Sequence, residues 1–222
     1  MSELPTLPAA ELVRQLGRPE GEVGVEIGLR MNRLNARINE AVFSRLDLAA
    51  GMNVLEIGFG NGHLLPSLMQ RADGLNYVGI DVSPTMVDEA RRSNAAVVAG
   101  GRAAFHLAEA ESLPVADASF DRIFAVNVIY FWTDPPRPLA QIRRALKPDG
   151  FSVIAASAPE ITALMPMLRP EFGFCARDAE TLVAMHNAAG FSRVDVDTLS
   201  ETIARPDGDP ASVRVHLIIA RP

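Results

Sequence analysis

The chain has 222 residues, of which 48% are hydrophobic and 22% are charged, a composition typical of a globular domain. Its net charge of −6 repels phosphate backbones and anionic headgroups, so neither nucleic acid nor a membrane is an expected partner. Cys175 is the only cysteine, which excludes an intramolecular disulfide and a cysteine-cluster zinc site, and we expect no metal. Because the N-terminus lacks a basic start followed by an apolar core, we expect a cytoplasmic protein.

A helical extension is predicted at the N-terminus, over residues 1–48. Within residues 32–46, apolar side chains recur every four positions, which is typical of a helix with one buried stripe. These side chains are Leu34, Ile38, Val42 and Leu46. We expect this extension to cap the domain that follows.

Short apolar runs and helical patterns then alternate along the chain. The runs predict strands at 53–58, 77–82, 103–109, 120–127 and 151–157. Helices are predicted from Ser83, Asp134 and Asp178, each a residue type that caps a helix N-terminus; they end near residue 94, at Pro148 to Gly150, and at Gly190 respectively. Strands that alternate with helices indicate a parallel sheet with right-handed crossovers.

The end of the chain departs from this alternation. Two strand patterns, 191–200 and 212–220, are separated by a segment too short for a helical crossover, so they are expected to pair as an antiparallel hairpin at the sheet edge. The predicted fold is a Rossmann-like α/β domain over residues 1–222. It has a seven-stranded, mostly parallel sheet, helices on both faces and a C-terminal hairpin.

A glycine-rich turn follows the first predicted strand, where ligands bind in open α/β sheets. Its sequence, EIGFGNG at 56–62, puts Gly58, Gly60 and Gly62 at alternating positions. A dinucleotide fingerprint requires glycine at position 63, which is histidine here. The charge of Glu56 disfavours a pyrophosphate and favours a cationic ligand. The alternative is a tight turn with no ligand.

Two further acidic residues end the next predicted strands. Asp81 stands about twenty residues beyond the glycines, where a carboxylate can accept both ribose hydroxyls of a nucleoside. Glu109, at the end of the third strand, would then lie beside the nucleobase. Alternatively, Asp81 caps the helix that follows it and Glu109 is a solvated charge in a turn.

The motifs together resemble those of class I S-adenosylmethionine-dependent methyltransferases. The resemblance rests on EIGFGNG, on Asp81 within GIDVSPTMVDEAR, on AEAESLPVADASFDRIFA (108–125) and on ALKPDGF (145–151). It is nearest to the small-molecule branch that includes the quinone-biosynthesis C-methyltransferases, and it covers residues 30–157 and the terminal hairpin. Two departures stand out: LKPDG replaces the usual LKPGG, and the aromatic segment at 129–132 replaces one that often contains histidine.

The resemblance implies S-adenosylmethionine as cofactor and S-adenosylhomocysteine as product. In such a family Glu56 and the glycine loop meet the methionine portion, Asp81 the ribose, Glu109 the adenine edge and Asn127 the amino-acid end. A cofactor with a sulfonium, an ammonium and no phosphate agrees with an acidic site. The expected cofactor-binding residues are Glu56, Gly58, Phe59, Gly60, Gly62, Asp81, Val82, Met86, Glu109, Ala110, Asn127 and Val128.

The predicted reaction is in-line methyl transfer to a small apolar or aromatic molecule, at carbon, nitrogen or oxygen. A general base is optional because positioning alone can supply much of the rate; the candidates are His63 and Tyr130. An aromatic run after the fourth strand, a Met- and Phe-rich segment after the fifth and polar residues of the N-terminal extension predict the acceptor site. Its expected residues are Arg30, Asn32, Tyr130, Phe131, Trp132, Met165, Met167 and Phe172.

Two other interpretations compete with this one. A nicotinamide-dependent short-chain reductase needs Tyr-x-x-x-Lys, but the only lysine is Lys147 and Arg143 lies four residues before it, so that reading fails. A catalytically silent cofactor-binding or interaction module keeps the same glycine and acidic residues and stays open. We expect a monomer or a homodimer.

Overall fold

The computed structural model describes residues 7–204 and 208–222. The first six residues of the predicted extension lie outside that part of the chain. The strands are β1 (Asn53–Ile57), β2 (Asn76–Asp81), β3 (Ala103–Leu107), β4 (Phe120–Val126), β5 (Leu146–Ser157), β6 (Arg193–Ala204) and β7 (Pro210–Arg221). They form one sheet in the order β3-β2-β1-β4-β5-β7-β6. The first five are parallel neighbours, and β7 runs antiparallel to both β5 and β6. The predicted mostly parallel sheet with a terminal hairpin is confirmed.

Helices cover both faces of the sheet. They are α1 (Ala9–Gly17), α2 (Gly21–Leu34), α3 (Ala36–Arg45), α4 (Leu65–Met69), α5 (Pro84–Ser93), α6 (Ala95–Ala99), α7 (Pro136–Ala145), α8 (Glu160–Leu164) and α9 (Ala179–Ala188). Successive strand residues point to opposite faces, so Leu55 and Ile57 join one apolar core while Val54 joins the other. Among the helices described, none is long and apolar enough to cross a membrane.

Helix starts follow two of the three predicted caps. The Ser83 hydroxyl accepts the N–H of Met86, and the Asp178 carboxylate accepts the N–H of Thr181. The third cap was wrong: α7 begins at Pro136 after Pro135, and no side chain caps it.

The end of α7 was also misplaced. The helix stops at Ala145, before the predicted Pro148, because the buried Leu146 already pairs with Phe120 of β4. Pro148 and Gly150, which are typical of a helix terminus, therefore belong to β5.

The helix predicted over 32–46 is two helices. Asn35 interrupts it with φ −91° and ψ 0°, and Leu34 is 57% exposed while Ile38 and Val42 are buried. The Asn35 side-chain oxygen accepts a hydrogen bond from Asn127 Nδ2 at 3.0 Å. The bend thus fixes the N-terminal helices over the carboxyl end of β4.

The terminal hairpin projects beyond the parallel strands. The last residue of β5, Ser157, pairs with Val215 of β7, which in turn pairs with Leu199 of β6. Residues 210–214 of β7 and 200–204 of β6 therefore extend past the carboxyl edge of the sheet. They form a wall beside the site.

Candidate active site

A cavity of about 570 Å³ lies at the carboxyl ends of β1, β2 and β4. Its floor comes from the loops that follow these strands, and α1, α2 and α3 cover it. The projecting part of the hairpin closes one side. The cavity has two ends of different character: an acidic end beside β1 and β2, and an apolar end beside the 129–132 segment and the hairpin.

Glu56 is the most buried acidic residue at the acidic end of the cavity. Its carboxylate is 5% exposed, and the hydroxyl of Tyr77 donates to its Oε2 at 2.6 Å. Burial raises the pKa of Glu56 to about 7, and the charge of Asp81 adds to that rise, although the Tyr77 hydrogen bond opposes it. A cationic ligand group would offset the cost of ionising this carboxyl.

Asp81 holds the glycine loop as well as facing the cavity. Its Oδ2 accepts the N–H of Gly60 at 2.9 Å and its Oδ1 accepts the N–H of Ser83 at 2.9 Å. Burial raises the pKa of Asp81 to about 6 in spite of these hydrogen bonds. Since the side chain of Ser83 caps α5, Asp81 is not the helix cap; it holds the glycine loop and lines the cavity.

The three glycines of the loop have different structural roles. Gly58 has φ +75°, and a Cβ there would overlap the side chain of Val128. Gly60 has φ +60°, and a Cβ there would meet nothing within 4 Å, so its backbone faces open space. The structure places Gly62 outside the cavity: a Cβ would lie 2.7 Å from that of Ala90, and its carbonyl accepts from Asn94 Nδ2. Gly62 therefore packs the loop onto α5.

The rest of the loop differs from the expectation in one respect. The helix after the loop begins at Leu65, and the candidate base His63 is exposed on the turn before it. His63 is not among the residues that line the cavity. The other expected cofactor residues, apart from Gly62, all line it: Glu56, Gly58, Phe59, Gly60, Asp81, Val82, Met86, Glu109, Ala110, Asn127 and Val128.

A hydrogen-bond chain joins the centre of the cavity to the N-terminal helices. Asn127, in the left-handed region at φ +58°, donates to Asn35 and accepts from the Tyr130 hydroxyl at 2.8 Å. The same hydroxyl accepts the N–H of Ser157. Burial raises the pKa of Tyr130 to about 12, so this side chain stays protonated near neutral pH. The geometry gives Tyr130 a positioning role.

Aromatic side chains form the apolar end. Tyr130 stacks on Phe174 with ring centroids 4.2 Å apart, and Trp132 is buried beside them. Phe174 takes the place expected for Phe172, which does not line the cavity, because Gly173 at φ +89° reverses the chain. The other expected acceptor residues line the cavity: Arg30, Asn32, Tyr130, Phe131, Trp132, Met165 and Met167.

Sequence reasoning missed the residues that cover the cavity. The N-terminal helices contribute Leu12, Leu16, Ile27, Met31 and Asn39, and the hairpin contributes Glu201, Ile203, Val213 and Val215. The apolar spacing within α1 was a usable signal for the first group. No local pattern distinguishes Glu201 from a surface charge near a turn.

Comparison with known proteins agrees with this geometry. A family model described as a methyltransferase domain matches residues 55–154. The chain is 29% identical to the methyltransferase YdaC of Bacillus subtilis over 76% of its own length and 87% of that protein. It is 31% identical to the methyltransferase GfsG of Streptomyces halstedii, over 78% of the chain and 64% of GfsG. It is 34% identical to the O-methyltransferase resE of Aspergillus sclerotiorum, over 54% of the chain and 45% of resE. The chain thus spans less than two thirds of the last two.

Solved structures share the fold. A SAM-dependent methyltransferase from Aquifex aeolicus superposes with a TM-score of 0.63 at 20% identity, covering 95% of this chain and 97% of that one. The geranyl diphosphate C-methyltransferase of Streptomyces coelicolor gives 0.67 at 14% identity, covering 98% and 99%. The [4+2]-cyclase SpnF gives 0.66 at 21% identity, covering 84% and 81%, so the fold alone does not set the reaction.

The Rossmann-like sheet with its antiparallel hairpin and acidic glycine loop defines the methyltransferase fold class. The matched family model and the relatives are methyltransferases, so the comparisons support the enzyme class that the sequence resembles, the S-adenosylmethionine-dependent methyltransferases. The residues present fit S-adenosylmethionine: two buried carboxylates, Glu56 and Asp81, line the cavity, which suits a molecule that carries positive charge and no phosphate.

Proposed function

We propose that this enzyme transfers a methyl group to a small apolar or aromatic molecule by in-line displacement. The observation that carries the proposal is the continuity of the cavity, which joins the acidic end at Glu56 and Asp81 to the aromatic end at Tyr130 and Trp132. Ligand sites of this size suit small molecules.

The cover over the cavity supports a small acceptor. Helices α1 to α3 lie across it, so cofactor and acceptor must share about 570 Å³. A macromolecular acceptor would have to insert one residue or base under this cover. Relatives described as O-methyltransferases, and a 27-O-demethylrifamycin SV methyltransferase of Amycolatopsis mediterranei at 31% identity, support small-molecule chemistry.

The chain's own residues would bind and orient the reactants. Glu56 would accept from the ammonium of the methionine portion, Asp81 from the ribose hydroxyls, and Ala110 would pack beside the adenine with Glu109 at the rim. When bound, S-adenosylmethionine supplies an electrophilic methyl group on a sulfonium.

Correct orientation of the acceptor and the cofactor can accelerate methyl transfer without a general base. The Asn127–Tyr130 chain fixes the floor between the two ends, and buried apolar side chains such as Ile38 and Ile161 exclude water. Holding the acceptor atom in line at contact distance can supply roughly 7 to 11 kcal/mol.

Calorimetric titration with S-adenosylmethionine, S-adenosylhomocysteine and NADH tests the cofactor site. We expect micromolar binding of the first two and none of NADH. Asp81→Ala removes charge-assisted hydrogen bonds and should weaken binding by about 10- to 150-fold. Asp88→Ala is the matched control, because Asp88 is an exposed carboxylate on α5. Equal affinities in the two variants would contradict a ribose role for Asp81.

A screen with methyl-labelled cofactor tests the acceptor class. Label should appear in aromatic, quinone-like or polycyclic hydroxyl compounds and not in RNA or protein. Transfer to a macromolecule alone would overturn the proposal. A cytoplasmic location and the lack of a nucleic-acid partner stay predictions from the sequence.

A further inference from the structure

Glu201 is the acidic residue that the hairpin brings to the cavity. It lies on β6, in the part that extends past the carboxyl edge of the sheet, and pairs in register with Val213 of β7. Both residues line the cavity, as do Ile203 and Val215 nearby. Thr202 lines the cavity as well, so the hairpin presents a carboxylate beside one hydroxyl and several apolar side chains.

This carboxylate is buried and incompletely paired. Glu201 is 9% exposed, and its Oε1 receives no hydrogen bond from any residue that the structure describes. Within the described ranges, the cation that faces it is Arg37 on α3, whose Nε lies 3.6 Å from that oxygen, beyond hydrogen-bonding distance. The Arg37 side chain is 68% exposed and is therefore well hydrated. A buried acceptor atom without a donor is costly unless a ligand supplies one.

The two buried carboxylates of the acidic end, Glu56 and Asp81, have hydrogen-bond partners of their own. Glu56 accepts from Tyr77, and Asp81 accepts from Gly60 and Ser83. Glu201 lies apart from them on the hairpin, together with Val213 and Val215. Its free oxygen is therefore offered to the acceptor end of the site.

We propose that Glu201 binds the methyl acceptor by accepting a hydrogen bond from an O–H or N–H group, and so selects acceptors that present such a donor. The inference rests on the proposed function, since it assigns the acceptor to the apolar end. It makes Glu201 a specificity-determining residue, a carboxylate in a wall formed otherwise by Thr202 and apolar side chains.

Matched pairs of probes test the inference in the full chain with saturating S-adenosylhomocysteine. The pairs are 1-naphthol with 1-methoxynaphthalene and indole with 1-methylindole; in each the second member lacks the donor. We expect calorimetry to show at least one donor probe binding about tenfold or more tightly than its methylated partner. In Glu201→Gln, which keeps the shape and removes the charge, that preference should fall to less than about threefold.

Arg37→Gln is the control for the opposing explanation, that Glu201 serves only as an ion-pair partner. That variant should keep the donor preference, and thermal unfolding should show that both variants fold. The proposal is overturned if the wild type prefers neither donor probe, if Glu201→Gln keeps the preference, or if Arg37→Gln loses it equally. Failure of S-adenosylhomocysteine itself to bind would instead refute the proposed function.

Discussion

The two ends of the cavity are built in opposite ways. At the acidic end, Glu56 and Asp81 are buried, but they accept hydrogen bonds from the Tyr77 hydroxyl and from the backbone N–H groups of Gly60 and Ser83. At the apolar end, aromatic and aliphatic side chains from distant segments meet, and Glu201 Oε1 accepts no hydrogen bond from the described residues.

The two ends therefore have different roles: the acidic end binds the cofactor, and the apolar end selects the methyl acceptor. The acidic end is preorganised for one cofactor, because its charges and backbone donors are fixed before the ligand arrives. The apolar end selects through its shape and through the proposed contact to Glu201, and its walls come from the N-terminal helices and from the part of the hairpin that extends past the parallel strands. Changes at the first end should affect folding and cofactor binding, and changes at the second should affect the choice of acceptor.

The largest effect is expected at the glycine loop. Gly58→Ala puts a Cβ into Val128 and keeps a strained positive φ, so we expect it to lower the free energy of unfolding by roughly 3 kcal/mol. Gly60→Ala has the same strain but open space around the Cβ, so its cost should be about 1 to 2 kcal/mol. Urea unfolding of the two variants measures the difference. Equal losses would show that strain alone, and not the contact with Val128, makes glycine necessary at position 58.

Cofactor affinity should depend on pH through the acidic end. Because burial raises the pKa of Glu56 to about 7 and that of Asp81 to about 6, the ligand-free site holds protons that a cationic ligand displaces. Affinity for S-adenosylhomocysteine should therefore fall by about tenfold or more as the pH drops from about 8 to about 5.5. Titration in buffers of different ionisation enthalpy should detect the proton release. Glu56→Gln should flatten the dependence above pH 6, and an unchanged profile in that variant would assign the effect elsewhere.

The same pKa shifts act on stability with the opposite sign. Between about pH 4.5 and pH 7 the folded, ligand-free protein binds more protons at Glu56 than the unfolded chain does, so this group lowers stability as the pH rises. The Glu56→Gln variant should lack that decline. Urea unfolding at several pH values in this range measures the effect. The prediction is wrong if the free energy of unfolding falls equally with pH in the wild type and the variant.

The smallest effect is expected where the two ends meet. Tyr130→Phe removes a hydroxyl that donates to Asn127 and accepts from Ser157, which should cost about 1 kcal/mol of stability. Because the pKa of Tyr130 is raised to about 12, the pH profile of methyl transfer should keep its shape in this variant. If the rate of methyl transfer in the wild type depends on pH in the basic range and Tyr130→Phe loses this dependence, Tyr130 is instead the general base.

Much of the acidic end could be predicted from residue types and spacing. Carboxyl ends of parallel strands meet at one edge, so a glycine loop after β1 and an acid after β2 must come close together. Glu56, Gly60 and Asp81 follow this rule and line the cavity. Gly62 has the same local signature but packs on Ala90, a contact that depends on where α5 lies and not on the motif.

The apolar end was predictable only in part. The aromatic segment after β4 lies where strand order puts it, but Phe174 replaced Phe172 because a left-handed Gly173 redirects the chain. The apolar stripe in the sequence at 32–46 continues without a gap, but the helix is interrupted at Asn35. There the side chain accepts a hydrogen bond from Asn127, which lies 92 residues away in sequence.

The sequence by itself determined the order of strands and helices, the antiparallel closing hairpin and the acidic glycine loop, because periodicity, caps and chain direction act over short distances. Only the tertiary structure decided what covers the cavity and placed the Glu201 carboxylate there without a hydrogen-bond donor from residues 7–204 and 208–222. The reason is register: since a shift of one residue turns a strand's side chains to the other face, the pairing of Glu201 with Val213 decides what that strand presents, and that pairing is set by the whole sheet.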